Sequence, residues 1–388
     1  MRTLPASAVV AESLLVVLPA PADPACPGPA TIIAGLPMIR RVALAAERAG
    51  FERILIHPRV CPDPRLLEGT AAVLLGAETV PAPMARLVLL PANVLPQARW
   101  LRALRDMPLE PETLSVDITL AAAVETTTGG DLLHAAGQAD DLVELIAQLS
   151  RKLARVEHAD DSAGRFRLAG EAGAAAAEAW LLRSLIKDTE GFMSRHLERR
   201  VSLSLTRRLV TTSITPNAMT LVSLAVGLLG APFFLSSDPW LQVAGGLLFL
   251  THSILDGCDG ELARLKFLES PRGARLDFWG DNLVHVAVFA SMAVGWSQSV
   301  DAVWPLLLGA LAVSGTAAAA ILVARQSAEA ANASAGPLAD AVANRDFIYL
   351  VILLACFGRA HWFLVLVALG TPVFMLLVRW GTGRHRAA

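Results

Sequence analysis

Paired cysteines, an uninterrupted leader and a basic stripe are all missing from this 388-residue chain, and each absence closes a class of function. The four cysteines, Cys26, Cys61, Cys258 and Cys356, are scattered and form no CxxC pair. Neither a disulfide framework nor a zinc site is indicated, and reduced thiols are the default. No Lys/Arg stripe with interleaved aromatics appears and the net charge is −2, so nucleic acid is not expected as a partner. Arg2, the apolar residues after it and the small ones near Pro19 faintly imitate a leader. Glu12 interrupts that apolar run, and Leu14–Leu18 reads better as a buried first strand.

What is present is unevenly spread. Apolar residues make up 54% of the chain, and at this length two domains are expected, the second far more apolar than the first. Strand-like Leu14–Leu18, Arg53–Ile56 and Arg86–Leu90 accompany Ile32–Gly50, whose periodicity is helical and which ends on glycine. That alternation predicts an α/β, Rossmann-like domain with a largely parallel sheet over residues 1–175. The polar, Ala-rich stretch Gly129–Gly173, with Asp140, Asp141, Asp160 and Asp161, reads as a helical end to the domain plus linker, its acids on a solvated face.

The second half is organised around Asp256–Asp281, DGCDGELARLKFLESPRGARLDFWGD. A charge at membrane depth costs about 3 kcal/mol or more and marks a functional site. Asp256, Asp259, Asp277 and Asp281 would also repel one another, so a compensating cation is expected. On a helix, Asp256, Asp259 or Gly260, and Ala263 share one face, and Asp277 and Asp281 share a face of the next. The linker Leu265–Arg272, with Pro271 as a breaker, lets the two helices run antiparallel with the acid pairs facing. An all-oxygen nest suits Mg²⁺ or Mn²⁺ better than zinc. Gly257 and Gly260 would leave room for a nucleotide on the acidic face, and Arg264, one turn on, is placed for a phosphate.

The spacing D-x2-D-G-x2-A-R-x8-G-x3-D-x3-D, met at Asp256, Asp259, Gly260, Ala263, Arg264, Gly273, Asp277 and Asp281 without insertion, resembles the signature of the CDP-alcohol phosphotransferase family. Chance agreement at every fixed position is expected about once in a billion windows. The resemblance implies an integral-membrane enzyme that moves a substituted phosphate from a CDP-linked donor to an alcohol acceptor and releases CMP. It implies that Asp256, Asp259 and Asp277, together with Asp281, hold two divalent ions, Mg²⁺ or Mn²⁺, on the pyrophosphate. Asp281 would also take the acceptor's proton, while Gly260, Ala263, Arg264 and Gly273 line the nucleotide and its phosphates. Two metals and a neighbouring carboxylate suit that chemistry on general grounds.

Thr215-Pro216-Asn217 resembles a turn of the same family and makes Asn217 a candidate nucleotide contact, although capping alone explains a Pro at a helix start. Arg275, Arg325 and Arg345 are candidates for an anionic acceptor such as an alcohol phosphate, against the plainer alternative of topology-setting charge. His252 and His285, four residues outside Asp256 and Asp281, read first as packed or hydrogen-bonded histidines and second as carboxylate-tuning groups. The family likeness also suggests a homodimer.

About 120 residues at the start, AGLPMIRRVALAAERAGFERILI above all, resemble nucleotidyltransferases that activate sugar and alditol phosphates. Such a domain is fused to an inositol-phosphate-type CDP-alcohol transferase in some proteins. Active members carry a glycine-rich loop with Arg and Lys, where this sequence reads PAPADPACPGPA. A later Lys is here Leu36, and Asn93 stands where a metal-binding Asp would be. Phosphate cradling needs close N–H groups and a cation, so the domain reads as catalytically degenerate.

Residues 176–210 join the halves. There Lys187–Leu209 interleaves Phe192, Met193, Leu197, Val201 and Leu205 with Arg195, Arg199, Arg200, Arg207 and Arg208, the pattern of a helix lying on an anionic bilayer surface. The alternative is an amphipathic helix packed on the soluble domain. An all-α membrane domain over 211–388 is expected to have six spans: Ile214–Leu235, Leu241–Leu262, Leu276–Trp296, Val303–Val323, Asp346–Phe357 and Trp362–Trp380. The fifth is short against the roughly 20 residues a span needs. Loop Arg and Lys place both termini and the acid nest on the cytoplasmic side of the inner or plasma membrane. Donor (CDP-inositol-like or CDP-diacylglycerol) and acceptor (inositol phosphate or another polyol) stay open. Two other classes fit less well. A non-catalytic scaffold with a nucleotide- or partner-binding soluble domain would let the motif drift, and a transporter would spread its acids along a path.

Overall fold

The computed structural model describes residues 12–23, 26–76, 84–158, 164–170, 173–186, 192–329 and 346–370. The chain forms two compact units, 1–183 and 184–388.

The first unit is built on strands β1 (Glu12–Leu18), β2 (Ile32–Ile33), β3 (Leu36–Pro37), β4 (Arg53–Ile56), β5 (Ala72–Leu74), β6 (Ala85–Pro91), β7 (Val94–Pro96), β8 (Thr113–Val116), β9 (Ala122–Thr126), β10 (Ala154–Glu157) and β11 (Arg165–Arg167). Seven of them make one sheet in the order β10-β8-β9-β6-β1-β4-β5. β1 pairs in parallel with β4 and β6, as do β4 with β5 and β8 with β10, while β9 runs antiparallel to both neighbours. Leu14 to Leu18 are 0% exposed, because a parallel strand covered on both faces reads as a continuous apolar run. The three strands expected from sequence are β1, β4 and β6.

The helix expected from Ile32 starts later, at Met38. β2 and β3 make a small hairpin whose turn, Ala34 and Gly35, has φ of 46° and 81°. Only after Pro37, which has no N–H to give a preceding turn, does α1 (Met38–Ala49) begin, and it closes on Gly50 at φ 83°. Arg41 on α1 is buried, and its Nε donates to the Ile33 carbonyl at 2.6 Å while Nη2 donates to that of Ala34. Burial draws its pKa down to about 10, opposed by Glu178.

The stretch 129–173 is more than a helical end and linker. After α2 (Ala98–Asp106) come α3 (Gly129–Gln138) and α4 (Leu142–Leu149), then edge strand β10 and β11, which pairs with β7. Leu142, Leu145, Ile146 and Leu149 enter the sheet core, so the apolar period of α4 outweighs its polar neighbours. Asp160 and Asp161 lie outside the described residues. Helix α5 (Gly173–Arg183) ends the unit.

The second unit is helical. A π-helical turn, Ser194–Glu198, leads into α6 (Arg199–Leu209), followed by α7 (Pro216–Gly230), a 3-10 turn Ala231–Leu235, α8 (Pro239–Lys266), α9 (Pro271–Val300), α10 (Trp304–Glu329) and α11 (Phe347–Ala355). Residues 362–370 are also helical. α7, α8 and α9 start alike: Thr215, Asp238 and Ser270 accept a backbone N–H from their own first turn, and Pro occupies the next position, which needs no donor there. The break between α8 and α9 is Phe267–Ser270, with Phe267 left-handed at φ 58°. Pro271 therefore opens α9.

Among the described residues four helices are long and apolar enough to cross a membrane: Pro216–Leu235, Pro239–Lys266, Pro271–Val300 and Trp304–Arg325. They correspond to the first four expected spans. The fifth matches α11, only 9 residues long, and residues 371–380 of the sixth lie outside the described residues. α7 packs against both α8 and α9, and Phe249, Val284, Val288, Met292 and Leu364 belong to the apolar core of this unit.

Candidate metal centre

Asp256 and Asp259 leave α8 one turn apart and Asp277 leaves α9. One carboxylate oxygen from each lies within 4.8 Å of the others. Asp256 and Asp259 are each 5% exposed. Two ionised groups at that separation repel by about 3 kcal/mol at an effective dielectric of roughly 20. The Oδ1 atom of Asp277 is buried with no hydrogen-bond partner. A buried orphan oxygen inside a nest of acids is satisfied by a hard cation, and the all-oxygen donor set fits Mg²⁺ or Mn²⁺.

Asp281 stands one turn beyond Asp277, and its Oδ1 lies 3.4 Å from His252 Nε2, a close approach short of an aligned hydrogen bond. His252 Nδ1 is 2.9 Å from the Ser223 carbonyl. A carbonyl only accepts, so Nδ1 carries the proton and Nε2 faces the acid. His252 precedes Asp256 by a turn and Asp281 follows Asp277 by a turn, so α8 and α9 pass each other in opposite directions, as the spacing predicts. His252 is thus buried and hydrogen-bonded, as first read, and it also faces a carboxylate. His285 does pack, edge-on to Phe249 and Phe347 at 5.6 and 5.7 Å.

Other motif residues take distinct places. Thr220 of α7 donates its hydroxyl to Asp259 Oδ2. Arg264 folds back over Gly260, where an added Cβ would come 3.2 Å from Nη1. Gly273 is held by the Ser270 cap at 3.0 Å, and a Cβ there would meet Asn217 Oδ1 at 2.9 Å. Its missing side chain admits Asn217, which is otherwise exposed. Ala263 is half-buried on the face of Asp256 and Asp259. Arg275 is exposed and donates to the Pro271 carbonyl of its own helix at 3.2 Å. Arg325 is exposed near the end of α10, and Arg345 lies outside the described residues.

One expectation is overturned at Gly257. An added Cβ would meet Arg199 Nη1 at 3.2 Å and Ser202 Cβ at 3.8 Å, so this glycine makes room for α6. It leaves none for a nucleotide. The reason is the residue sequence reading passed over, Glu261. It is 0% exposed, and it accepts from Arg199 Nη1 at 2.6 Å, Ser202 Oγ at 2.7 Å and Thr206 Oγ1 at 2.6 Å. An acid inside an apolar helix was the available signal. Lys266 Nζ donates to the carbonyls of Thr212 and Ile214 at 2.7 and 2.8 Å.

The elbow before α7 is therefore inverted relative to an ordinary packed amphipathic helix. Its buried residues are Glu198, Ser202 and Thr206, while Phe192, Leu197, Val201, Arg200, Arg207 and Arg208 are exposed. Residues 187–191 lie outside the described residues.

Comparison with known proteins bears on this half of the chain. Residues 213–374 match the family model for CDP-alcohol phosphatidyltransferase. A bifunctional IPC transferase and DIPP synthase of Thermococcus kodakarensis is 37% identical over 140 residues, 34% of this chain and 31% of that protein. Its namesake in Rubrobacter xylanophilus is 39% identical over 133 residues, 33% and 29% of the two chains. A CDP-diacylglycerol–serine O-phosphatidyltransferase of Mycobacterium tuberculosis is 33% identical over 99 residues, 23% of this chain and 34% of that one. The chain spans about a third of the length of the curated relatives it matches. The phosphatidylinositol phosphate synthase of Mycobacterium tuberculosis with CDP-DAG bound is 20% identical, covers 47% of this chain and 94% of its own, and has a TM-score of 0.36, too low to establish a shared fold. The acids at family spacing, three of them gathered, and the match over residues 213–374 make that region a CDP-alcohol phosphatidyltransferase family-model domain.

Proposed function

We propose that the chain is a metal-dependent, integral-membrane transferase that moves a substituted phosphate from a CDP-alcohol to an alcohol acceptor and releases CMP. The observation that carries this reading is the convergence of Asp256, Asp259 and Asp277 oxygens within 4.8 Å, with a buried Asp277 oxygen lacking any hydrogen-bond partner, inside the family's motif. These three and Asp281 would hold two divalent ions, Mg²⁺ or Mn²⁺. The chemistry such ions supply when bound is neutralisation of charge on the pyrophosphate and its leaving oxygen.

The chain's own groups do the rest. Asp281, beside the nest and with His252 at its back, is placed to accept the acceptor hydroxyl's proton. Arg264, folded over Gly260, offers forked donors to a phosphate. Thr220 fixes the rotamer of Asp259. Asn217 and Gly273 meet at the mouth of α7 and α9, which suits a contact to the nucleotide, with Ala263 half-buried nearby. Arg275, Arg325 and Arg345 remain candidates for an anionic acceptor, supported by charge alone. The name of one relative gives CDP-diacylglycerol and serine as its substrates, which supports a CDP-diacylglycerol donor; a CDP-inositol-like donor and polyol or polyol-phosphate acceptors rest on the sequence resemblance.

In this reading there are six spans, α11 and Trp362–Trp380 supplying the last two. The termini and acids face the cytoplasm, the elbow rests on lipid, the chain is a homodimer, and the first domain is catalytically inactive. The test is to supply purified protein with CDP-inositol and CDP-diacylglycerol in parallel, each with several polyol acceptors, and to follow CMP. Metal-dependent CMP release that requires an acceptor is the expected result. No release from either donor with any acceptor would contradict it.

A further inference from the structure

We propose that Glu261 is a positioning residue for the metal centre and that α6, which it holds, belongs to the scaffold of that centre. The inference rests on the reading of the neighbouring acids as ligands of a divalent cation.

Glu261 follows Asp259 by two residues and therefore points to the other side of α8, about 200° away. It is wholly buried, and both its oxygens are taken, by Arg199 and Ser202 on one side and Thr206 on the other, at 2.6–2.7 Å. Exchange of such a pair for apolar groups of the same shape is often neutral or stabilising, so stability does not account for an acid at this depth. Geometry does. A carboxylate with three fixed donors admits one rotation and one height of α8 against α6. Gly257, one turn earlier, lets the guanidinium approach where an added Cβ would come 3.2 Å from it.

The contacts form a closed ring. From Glu261 they pass to α6, then along the elbow to Thr212 and Ile214, whose carbonyls Lys266 grips from the end of α8. Those residues lead into α7, which returns to the site twice, through Thr220 on Asp259 and through Asn217 against Gly273. Rotating α8 relative to α6 would thus turn Asp256 and Asp259 away from Asp277. On the elbow's buried side Ser202 and Thr206 read Glu261, while Glu198 accepts from Ser253 and Tyr349, and Leu197 and Val201 are left exposed.

The test measures Mn²⁺ binding to the full chain in detergent by EPR, together with the Mg²⁺ dependence of CMP release. Glu261→Gln and Arg199→Met are expected to weaken Mn²⁺ binding about tenfold, the range seen when groups orienting a metal ligand are removed. The Mg²⁺ needed for half-maximal activity should rise by the same factor, and kcat at saturating metal should change less, within about threefold. Arg199→Lys should recover most of the affinity. Should Glu261→Gln fail to fold by size exclusion, the double variant Arg199→Met/Glu261→Met, which removes both charges, and Lys266→Met carry the test with the same expectation. Mn²⁺ affinity within about twofold of the parent in the folded variants overturns the proposal. Asp256→Asn separates the two levels. Loss of Mn²⁺ binding there with none in Glu261→Gln sinks this inference alone, whereas parental binding in Asp256→Asn sinks the metal centre itself.

Discussion

In the sheet unit Arg41 is buried against the carbonyls of Ile33 and Ala34, and Asp117 is met by Thr119, the Ala121 N–H and Arg165, whose Nε lies 2.7 Å away though off hydrogen-bond alignment. In the helical unit Asp256 and Asp259 lie as deep and Asp277 is half-buried, but the three gather with one another, and one Asp277 oxygen has no hydrogen-bond partner. Arg41 and Asp117 are answered by groups of their own unit, whereas the acids of the second unit face one another as a set that could hold a metal ion. The hairpin β2–β3, which follows the PAPADPACPGPA stretch, has its inward carbonyls occupied by the chain's own Arg41. Glu261 shows that the contrast is one of role, since in the same helix as the site an acid with internal donors is architecture.

The comparison can be broken from either side. Asp281→Asn should lower CMP release by a factor of about 10²–10⁴, the range for removing a general base, with circular dichroism unchanged; a loss below tenfold would remove Asp281 from proton transfer. Chelation by EDTA should silence CMP release, and Mg²⁺ or Mn²⁺ should restore it, because the nest supplies only oxygens. The full chain given CTP and alcohol phosphates should release no pyrophosphate above background. Robust release would show that the sheet unit keeps a site.

Smaller effects sharpen the internal half of the contrast. Arg41→Met leaves two buried carbonyls without their donor and should cost about 1–3 kcal/mol in a denaturant titration of the sheet unit. His57 is buried, accepts the Arg59 N–H at 3.1 Å, and is held below its ordinary 6.5 chiefly by burial. The unfolded chain then takes up the proton first, so stability should fall as pH drops through about 6.5 and level off below the folded value. His57→Gln should flatten that slope.

Much of this was legible in the residues. Strands β1, β4 and β6 announced themselves as apolar runs, and the motif spacing picked out Asp256, Asp259 and Asp277, whose oxygens the fold brings within 4.8 Å of one another. The hairpin before α1 escaped because helical periodicity runs on through Ile32 and Ile33, and only Gly35 and Pro37 mark the break. Thr220 and Glu261 escaped for a different reason. Their roles come from helices that meet in space, α7 on α8 and α6 on α8, and no local pattern records such a meeting. Gly257 was misassigned on the same account, its neighbour being Arg199, 58 positions earlier in the numbering.

The most direct measurement is equilibrium Mn²⁺ binding, read by EPR on the purified full chain with CMP present. The parent should bind Mn²⁺ saturably and Asp277→Asn, which alters the carboxylate with the orphan oxygen, should not. Equal binding by the two, or none by the parent, would contradict the account.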